Sequence, residues 1–162
     1  MLSNQRLITN VATCFGLGNL SSFPGTLGSL AAFLFLPLFF WDFVVFAFLF
    51  TLPITFFLCA KVCTYYELAH NKKDAKEVII DELLAQLLLF ALIKVCILPK
   101  YNILLIYLLG FFMFRFFDIS KLWPISLIDK KVGYGLGVML DDFAAALFSF
   151  VILFYLANIN LI

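Results

Sequence analysis

Charge is what this sequence has least of. Lys, Arg, Asp and Glu together make up 13% of its 162 residues, and between Leu27 and Ala60 only Asp42 is charged. The formal net charge of +1 excludes a general electrostatic affinity for nucleic acid. Histidine occurs once, at His70, beside Asn71 and two lysines, where a solvated loop side chain is expected. The four cysteines are scattered through apolar segments. Cys59 and Cys63 stand one helical turn apart, but no His or third Cys follows at metal-ligand spacing, so they read as small hydrophobes. A cleavable leader is not expected either. The first long apolar run starts at Leu27, and the stretch before it is broken by Asn4, Arg6, Thr9 and Asn10.

Apolar surface is what the sequence has in excess. The hydrophobic content is 65%, with 22 Phe and a mean hydropathy of +1.10, against a soluble average of about 45–50%. The expectation is one domain, residues 1–162, of all-α class: an integral membrane protein with about four to five membrane-embedded helices. The run from Leu27 to Ala60 would make roughly 50 Å of helix, too long for a single crossing of a ~30 Å hydrocarbon core. Trp41-Asp42 is a natural place to fold it, giving helices over 27–40 and 43–60, the first short enough to tilt or be re-entrant. A polar stretch over 61–82 follows. Further helices are expected over 83–98, 101–117 and 143–157, with a turn at Pro99-Lys100 and a loop over 118–141. With the N-terminus in the cytoplasm, nine of the 11 Lys and Arg residues fall inside, and only Lys94 and Lys100 outside.

The same threading puts every acid except Asp42 on the cytoplasmic side, in loops. Six of them form three groups: Asp81-Glu82, Asp118 with Asp129, and Asp141-Asp142. An ionised carboxylate beside lipid is costly unless it is paired or metal-bound. The pattern therefore points to a membrane-embedded site for a hard cation. Carboxylate oxygens suit Mg2+, which binds few protein groups and leaves room for water and substrate phosphate.

Three constellations carry the candidate chemistry. Gly16-Leu17-Gly18 and then Pro24-Gly25-Thr26-Leu27-Gly28-Ser29 lead into a helix, where backbone N–H groups and a helix start can meet an anion. A turn, a cap and a small-residue helix contact would use the same residues. Asp81 and Glu82 open a helix, where carboxylates also serve as caps, but two adjacent acids exceed what a cap requires. Neighbouring helical residues diverge by about 100°, so the two are expected to aim at different partners. Asp118 has Arg115 at i−3 and Lys121 at i+3, a trio that salt bridging alone could explain. Arg115 and Lys121 also suit phosphate oxygens, as a fork and a point charge respectively. Asp129-Lys130-Lys131 comes next, and Asp141-Asp142 stands at the threshold of the last helix after three glycines.

In this order the residues resemble the phosphatidylglycerophosphatase A family. Its pattern runs P-G-T-x-G-S, I-V-x-D-E, F-R-x-F-D-I-x-K-P-W-P-I and G-x-G-I-M-x-D-D. Here these blocks read Pro24 to Ser29, Ile79 to Glu82, Phe114 to Ile125, and Gly135 to Asp142. The match is collinear from Gly16 to Ala146. Leu122 replaces the usual Pro after the lysine, and Ser126 stands where an Arg often follows W-P-I. Ala85 and Ala146 replace glycines after the two acidic blocks.

The resemblance implies Mg2+-dependent hydrolysis of phosphatidylglycerophosphate to phosphatidylglycerol and inorganic phosphate, at a bacterial inner membrane with the active site facing the cytoplasm. The residues agree on reaction type: there is no Cys-x5-Arg loop, no D-x-D motif, and one histidine where a phosphohistidine route needs two. Metal-assisted attack by water is left. The expected metal ligands are Asp81, Glu82, Asp118, Asp141 and Asp142. The expected catalytic residues are Asp81, Glu82, Asp118, Arg115 and Lys121, and the expected substrate-binding residues Gly25, Thr26, Gly28, Ser29 and Lys130. An ion transporter would also need acids, but at mid-span. A degenerate, non-catalytic membrane scaffold is the other alternative.

Overall fold

The computed structural model describes residues 2–72, 75–97, 102–123, 125–127 and 132–159, and among them every regular element is helical. Six α-helices follow in chain order: α1 Leu2–Ala12, α2 Pro24–Ala31, α3 Asp42–His70, α4 Ile80–Cys96, α5 Ile103–Ser120 and α6 Tyr134–Asn158. Three of them, α3, α5 and α6, are long and apolar enough to cross a membrane. The all-α membrane class therefore holds. Among the described residues three helices are long and apolar enough for a crossing, Pro24–Phe40 is a shorter apolar stretch, and the expected count of four to five embedded helices is not confirmed.

Helix boundaries depart from expectation in ways with local causes. The first apolar helix starts earlier, at Pro24, whose fixed φ suits the first helical position and whose missing N–H is not needed there. It is α-helical only to Ala31 and then tightens into a 3-10 segment, Ala32–Phe40, that contains Pro37. The second continues through half of the expected polar stretch, to His70, because Ala60, Cys63, Tyr66 and Glu67 keep a buried face at helical spacing. It stops at Asn71, which takes the left-handed conformation (φ 49°) common at helix ends. Helix α1 was not anticipated. Its polar residues lie on a short helix that packs against α3.

The largest correction concerns the acids. Asp81 and Glu82 lie inside the first turn of α4, Asp118 inside the last turn of α5, and Asp141 and Asp142 in the third turn of α6. Glu67 is on α3. These acids are helical, not in loops. Helix ends offer the same exposure to the interface with a fixed side-chain direction. The turn at Pro99-Lys100, together with Lys73, Asp74, Pro124, Asp129, Lys130 and Lys131, lies outside the described residues.

Helix α4 is the most enclosed element. Leu89, Phe90, Ala91 and Ile93 have no exposed surface, and Phe90 meets the Phe33 ring edge-on at 4.9 Å. Helix α6 packs against α3, α4 and α5. It can approach α3 closely because residue 135 is glycine: a Cβ there would overlap the Ala60 carbonyl and fall 2.7 Å from Cys63 Cβ. Outward-facing Phe43, Phe50 and Ile54 on α3 remain exposed, as lipid-facing residues should. Since α4 and α6 start where α5 ends, their termini gather the charged residues at one end of the bundle. At the other end Lys94 reaches Asp42 at 3.3 Å.

Candidate active site

The start of α4 is pinned from two sides. Ile79 N–H donates to the Ala12 carbonyl at 3.0 Å, and Gly28 of α2 lies against Ile79 so closely that a Cβ would sit 2.9 Å from its carbonyl oxygen. This fixes the direction in which Asp81 and Glu82 project. Asp81 Oδ1 accepts the Glu82 N–H at 3.0 Å, satisfying one of the free donors of the first turn. In the same way Asp141 Oδ1 accepts the Asp142 N–H at 3.1 Å on α6.

Asp81, Glu82 and Asp142 each contribute a carboxylate oxygen to a group whose members all lie within 4.8 Å of one another. The expectation that Asp81 and Glu82 aim at different partners is corrected here. The extra methylene of Glu82 lets its carboxylate swing back to the oxygens of Asp81 and Asp142. Asp81 and Asp142 are buried, and Glu82 Oε2 and Asp142 Oδ2 are buried with no hydrogen-bond partner among the described residues. Three converging carboxylates with two unsatisfied buried oxygens fit the donor set of a hard divalent cation. Without positive charge between them the same arrangement would be strongly repulsive.

Cationic side chains complete the site. Arg115 Nη1 donates to Asp118 Oδ2 at 2.5 Å and more weakly to Ser29 Oγ at 3.4 Å. Lys121 does not join this pair, as the i+3 spacing suggested; its Nζ reaches Asp141 Oδ2 on α6 at 2.8 Å. The cause is the left-handed turn at Lys121 (φ 41°), which ends α5 and carries the side chain off the helix face. Gly25 allows α2 to start against this cluster, since a Cβ there would overlap Glu82 Oε1 and stand 3.1 Å from Arg115 Nη2.

These groups line one open cavity of about 470 Å3. Gly25, Thr26, Asp81, Glu82, Arg115, Asp118, Lys121, Asp141 and Asp142 all face it. Gly28 and Ser29 are buried behind it, Gly28 as the spacer between α2 and α4, Ser29 bonded to the Gly25 carbonyl at 3.0 Å. Lys130 lies outside the described residues. Lys76, Phe23 and Ile119 also line the cavity and were not singled out from sequence. Lys76 stood among several loop lysines with nothing to mark it. Gln86 is fully buried one turn beyond Glu82 with both amide atoms unpartnered, although in the sequence it only interrupts an apolar run.

His70 is the last residue of α3 rather than a loop residue. It stacks on Tyr66, with ring centroids 4.2 Å apart, and takes no part in the cavity. Beside it Glu77 accepts from Lys72 Nζ at 2.6 Å and Tyr66 Oη at 3.2 Å, tying the α3–α4 connection to α3. The Lys72 ammonium holds the Glu77 carboxyl below its ordinary value of 4.5. A depressed carboxyl contributes stability above its unfolded value and loses it as pH falls through the folded one. Glu77→Gln is therefore expected to melt below wild type at neutral pH. The gap should close in thermal scans run well under the ordinary value of 4.5.

Comparison with known proteins agrees with this geometry. The family model for phosphatidylglycerophosphatase A matches residues 10–157. A Haemophilus influenzae protein named phosphatidylglycerophosphatase A is 31% identical over 144 residues, covering 89% of this chain and 85% of its own. An Escherichia coli protein of the same name is 31% identical over 152 residues, covering 91% of this chain and 82% of its own. No solved structure matches. A match over nearly the whole chain, with every block of the pattern placed around one acidic cavity, shows that this chain belongs to the phosphatidylglycerophosphatase A family.

Proposed function

We propose that this protein hydrolyses phosphatidylglycerophosphate to phosphatidylglycerol and inorganic phosphate, with Mg2+ as cofactor, at the cytoplasmic face of a bacterial inner membrane. The observation that carries the reading is the convergence of Asp81, Glu82 and Asp142 within 4.8 Å, in a cavity that Arg115 and Lys121 also line. Carboxylates alone would repel a phosphate monoester, and cations alone would bind it without activating water. Together they fit metal-assisted phosphoryl transfer.

Asp81, Glu82 and Asp142 would hold Mg2+, with Asp118 and Asp141 at the same cavity. When bound, the ion supplies Lewis-acid polarisation of the phosphoryl group and acidifies water. The guanidinium of Arg115, oriented by Asp118, is placed to take the charge that grows on the equatorial oxygens. Lys121, held by Asp141, adds a second positive charge. The unpaired N–H groups at the start of α2, with the Thr26 hydroxyl, give further donors to the phosphate. Asp81 or Glu82 would take a proton from the attacking water as its oxygen bonds to phosphorus, and the ester oxygen of the glycerol would depart with a proton returned from that carboxyl or from solvent. The cytoplasmic orientation rests on the Lys and Arg bias of the sequence.

A transporter would need its acids at mid-span, whereas these lie in the first turn of α4, the last turn of α5 and the third of about seven turns of α6, toward one end of the bundle. The test is phosphate release in detergent micelles after EDTA treatment, with Mg2+ titrated back. Release from phosphatidylglycerophosphate that returns with Mg2+, and none from phosphatidic acid, is the expected result. Folded protein that releases nothing at any Mg2+ concentration would point to a scaffold. Full activity in EDTA would remove the metal.

A further inference from the structure

The cavity is not polar throughout: Ala75 and Val78 line it as buried residues, and its two large, exposed apolar lining residues are Phe23 and Ile119. Phe23, just before α2, and Ile119, in the last turn of α5, both face the cavity, yet they are 74% and 70% exposed. Nearby in the chain Leu20, three residues before Phe23, and Leu122 and Trp123, soon after Ile119, are exposed as well. A water-filled entrance would not need large apolar side chains at its edge, because each costs free energy when it faces water. The same cavity is lined by Arg115 and Lys121. The opening is therefore amphiphilic: carboxylates and cations line the cavity, and the exposed residues at its edge include the apolar Phe23 and Ile119 with the cationic Lys76.

We infer that Phe23 and Ile119 frame a lateral portal, seated at the boundary between headgroups and acyl chains, through which an anionic diacyl phospholipid enters sideways. Its phosphate end passes to Arg115 and Lys121 while its acyl chains stay outside, against Phe23 and the Ile119–Trp123 surface. Trp123 is 76% exposed, and an indole at this depth has the amphipathic character of an interfacial anchor. The portal makes the acyl chains part of recognition, so the protein selects a membrane-borne phosphate monoester over the same headgroup free in water. This inference rests on the lipid phosphatase reading and names how that substrate is reached.

Two measurements separate the portal from the reading beneath it. In the first, Trp41→Phe leaves Trp123 as the sole tryptophan in protein reconstituted into vesicles. Its emission is expected to be quenched by phospholipids brominated near the top of the acyl chain and shielded from aqueous iodide. Iodide quenching without bromolipid quenching would overturn the portal, whatever the enzyme does. In the second, phosphate release is compared between long-chain phosphatidylglycerophosphate in vesicles and its short-chain form below micelle concentration. Phe23→Ser with Ile119→Ser is expected to lower the long-chain to short-chain ratio of kcat/KM by about tenfold or more. An unchanged ratio would overturn the portal. Loss of all release by wild type would defeat the phosphatase reading alone, with the quenching result still deciding the lip.

Discussion

Asp142→Asn is expected to abolish phosphate release and at the same time to stabilise the protein when no divalent cation is present. Asp142 is buried on α6 opposite Asp81 and Glu82, and its Oδ2 has no hydrogen-bond donor among the described residues. The amide keeps the shape but removes one of three converging negative charges. Loss of a ligand and of its field should cost on the order of a thousandfold in kcat or more. In EDTA, relief of repulsion among desolvated carboxylates should favour the variant by roughly 1–3 kcal/mol. Added Mg2+ should then raise the melting temperature of wild type and leave the variant nearly unmoved. Thermal scans in detergent with and without Mg2+ check the stability arm. A variant less stable than wild type in EDTA would mean that Asp142 is held by protein contacts rather than by a cation.

Gly28→Ala should damage both stability and turnover although residue 28 does not face the cavity. Its Cβ would stand 2.9 Å from the Ile79 carbonyl oxygen and 3.0 Å from Ile79 Cβ, at the backbone that launches Asp81 and Glu82. Backbone cannot rotate away as a side-chain tip can, so α2 must back off from α4. Overpacking of this kind costs about 1–3 kcal/mol. A shift of the carboxylates by a fraction of an ångström to 1 Å should cut kcat/KM by up to about a hundredfold. Gly133→Ala is the control, since among the described residues nothing lies within 4 Å of a Cβ there and its φ of −93° suits any residue. Equal behaviour of the two variants in kcat/KM and melting would refute the spacer role of Gly28.

How far the sequence could be read depended on whether a feature was carried by residue type or by a tertiary partner. Asp81, Glu82, Asp118, Asp141 and Asp142 were legible because a carboxylate amid apolar residues needs a reason, and the structure brings all five to one cavity. Their secondary structure was not legible. Gly135 and Gly137 fall in the loop expected over 118–141, but they are helical residues of α6, glycines because Ala60 and Val132 backbone lie against them. Such crowding involves atoms distant in sequence or on a turned-back chain, so spacing alone cannot show it. Lys121 illustrates the same limit. Its neighbour at i−3 is Asp118, yet its partner is Asp141 on another helix. The persistence of α3 to His70 is carried by the helical spacing of Ala60, Cys63 and Glu67, which the polar residues between them obscure in the sequence.

Binding of Mn2+ as a spectroscopic stand-in for Mg2+, followed by electron paramagnetic resonance on detergent-solubilised protein, tests the central claim most directly. The account predicts saturable binding by wild type, displaced by excess Mg2+, and severely weakened in Asp142→Asn and Asp81→Asn. Binding that survives both substitutions unchanged would place the cation elsewhere and contradict the role given to the three carboxylates.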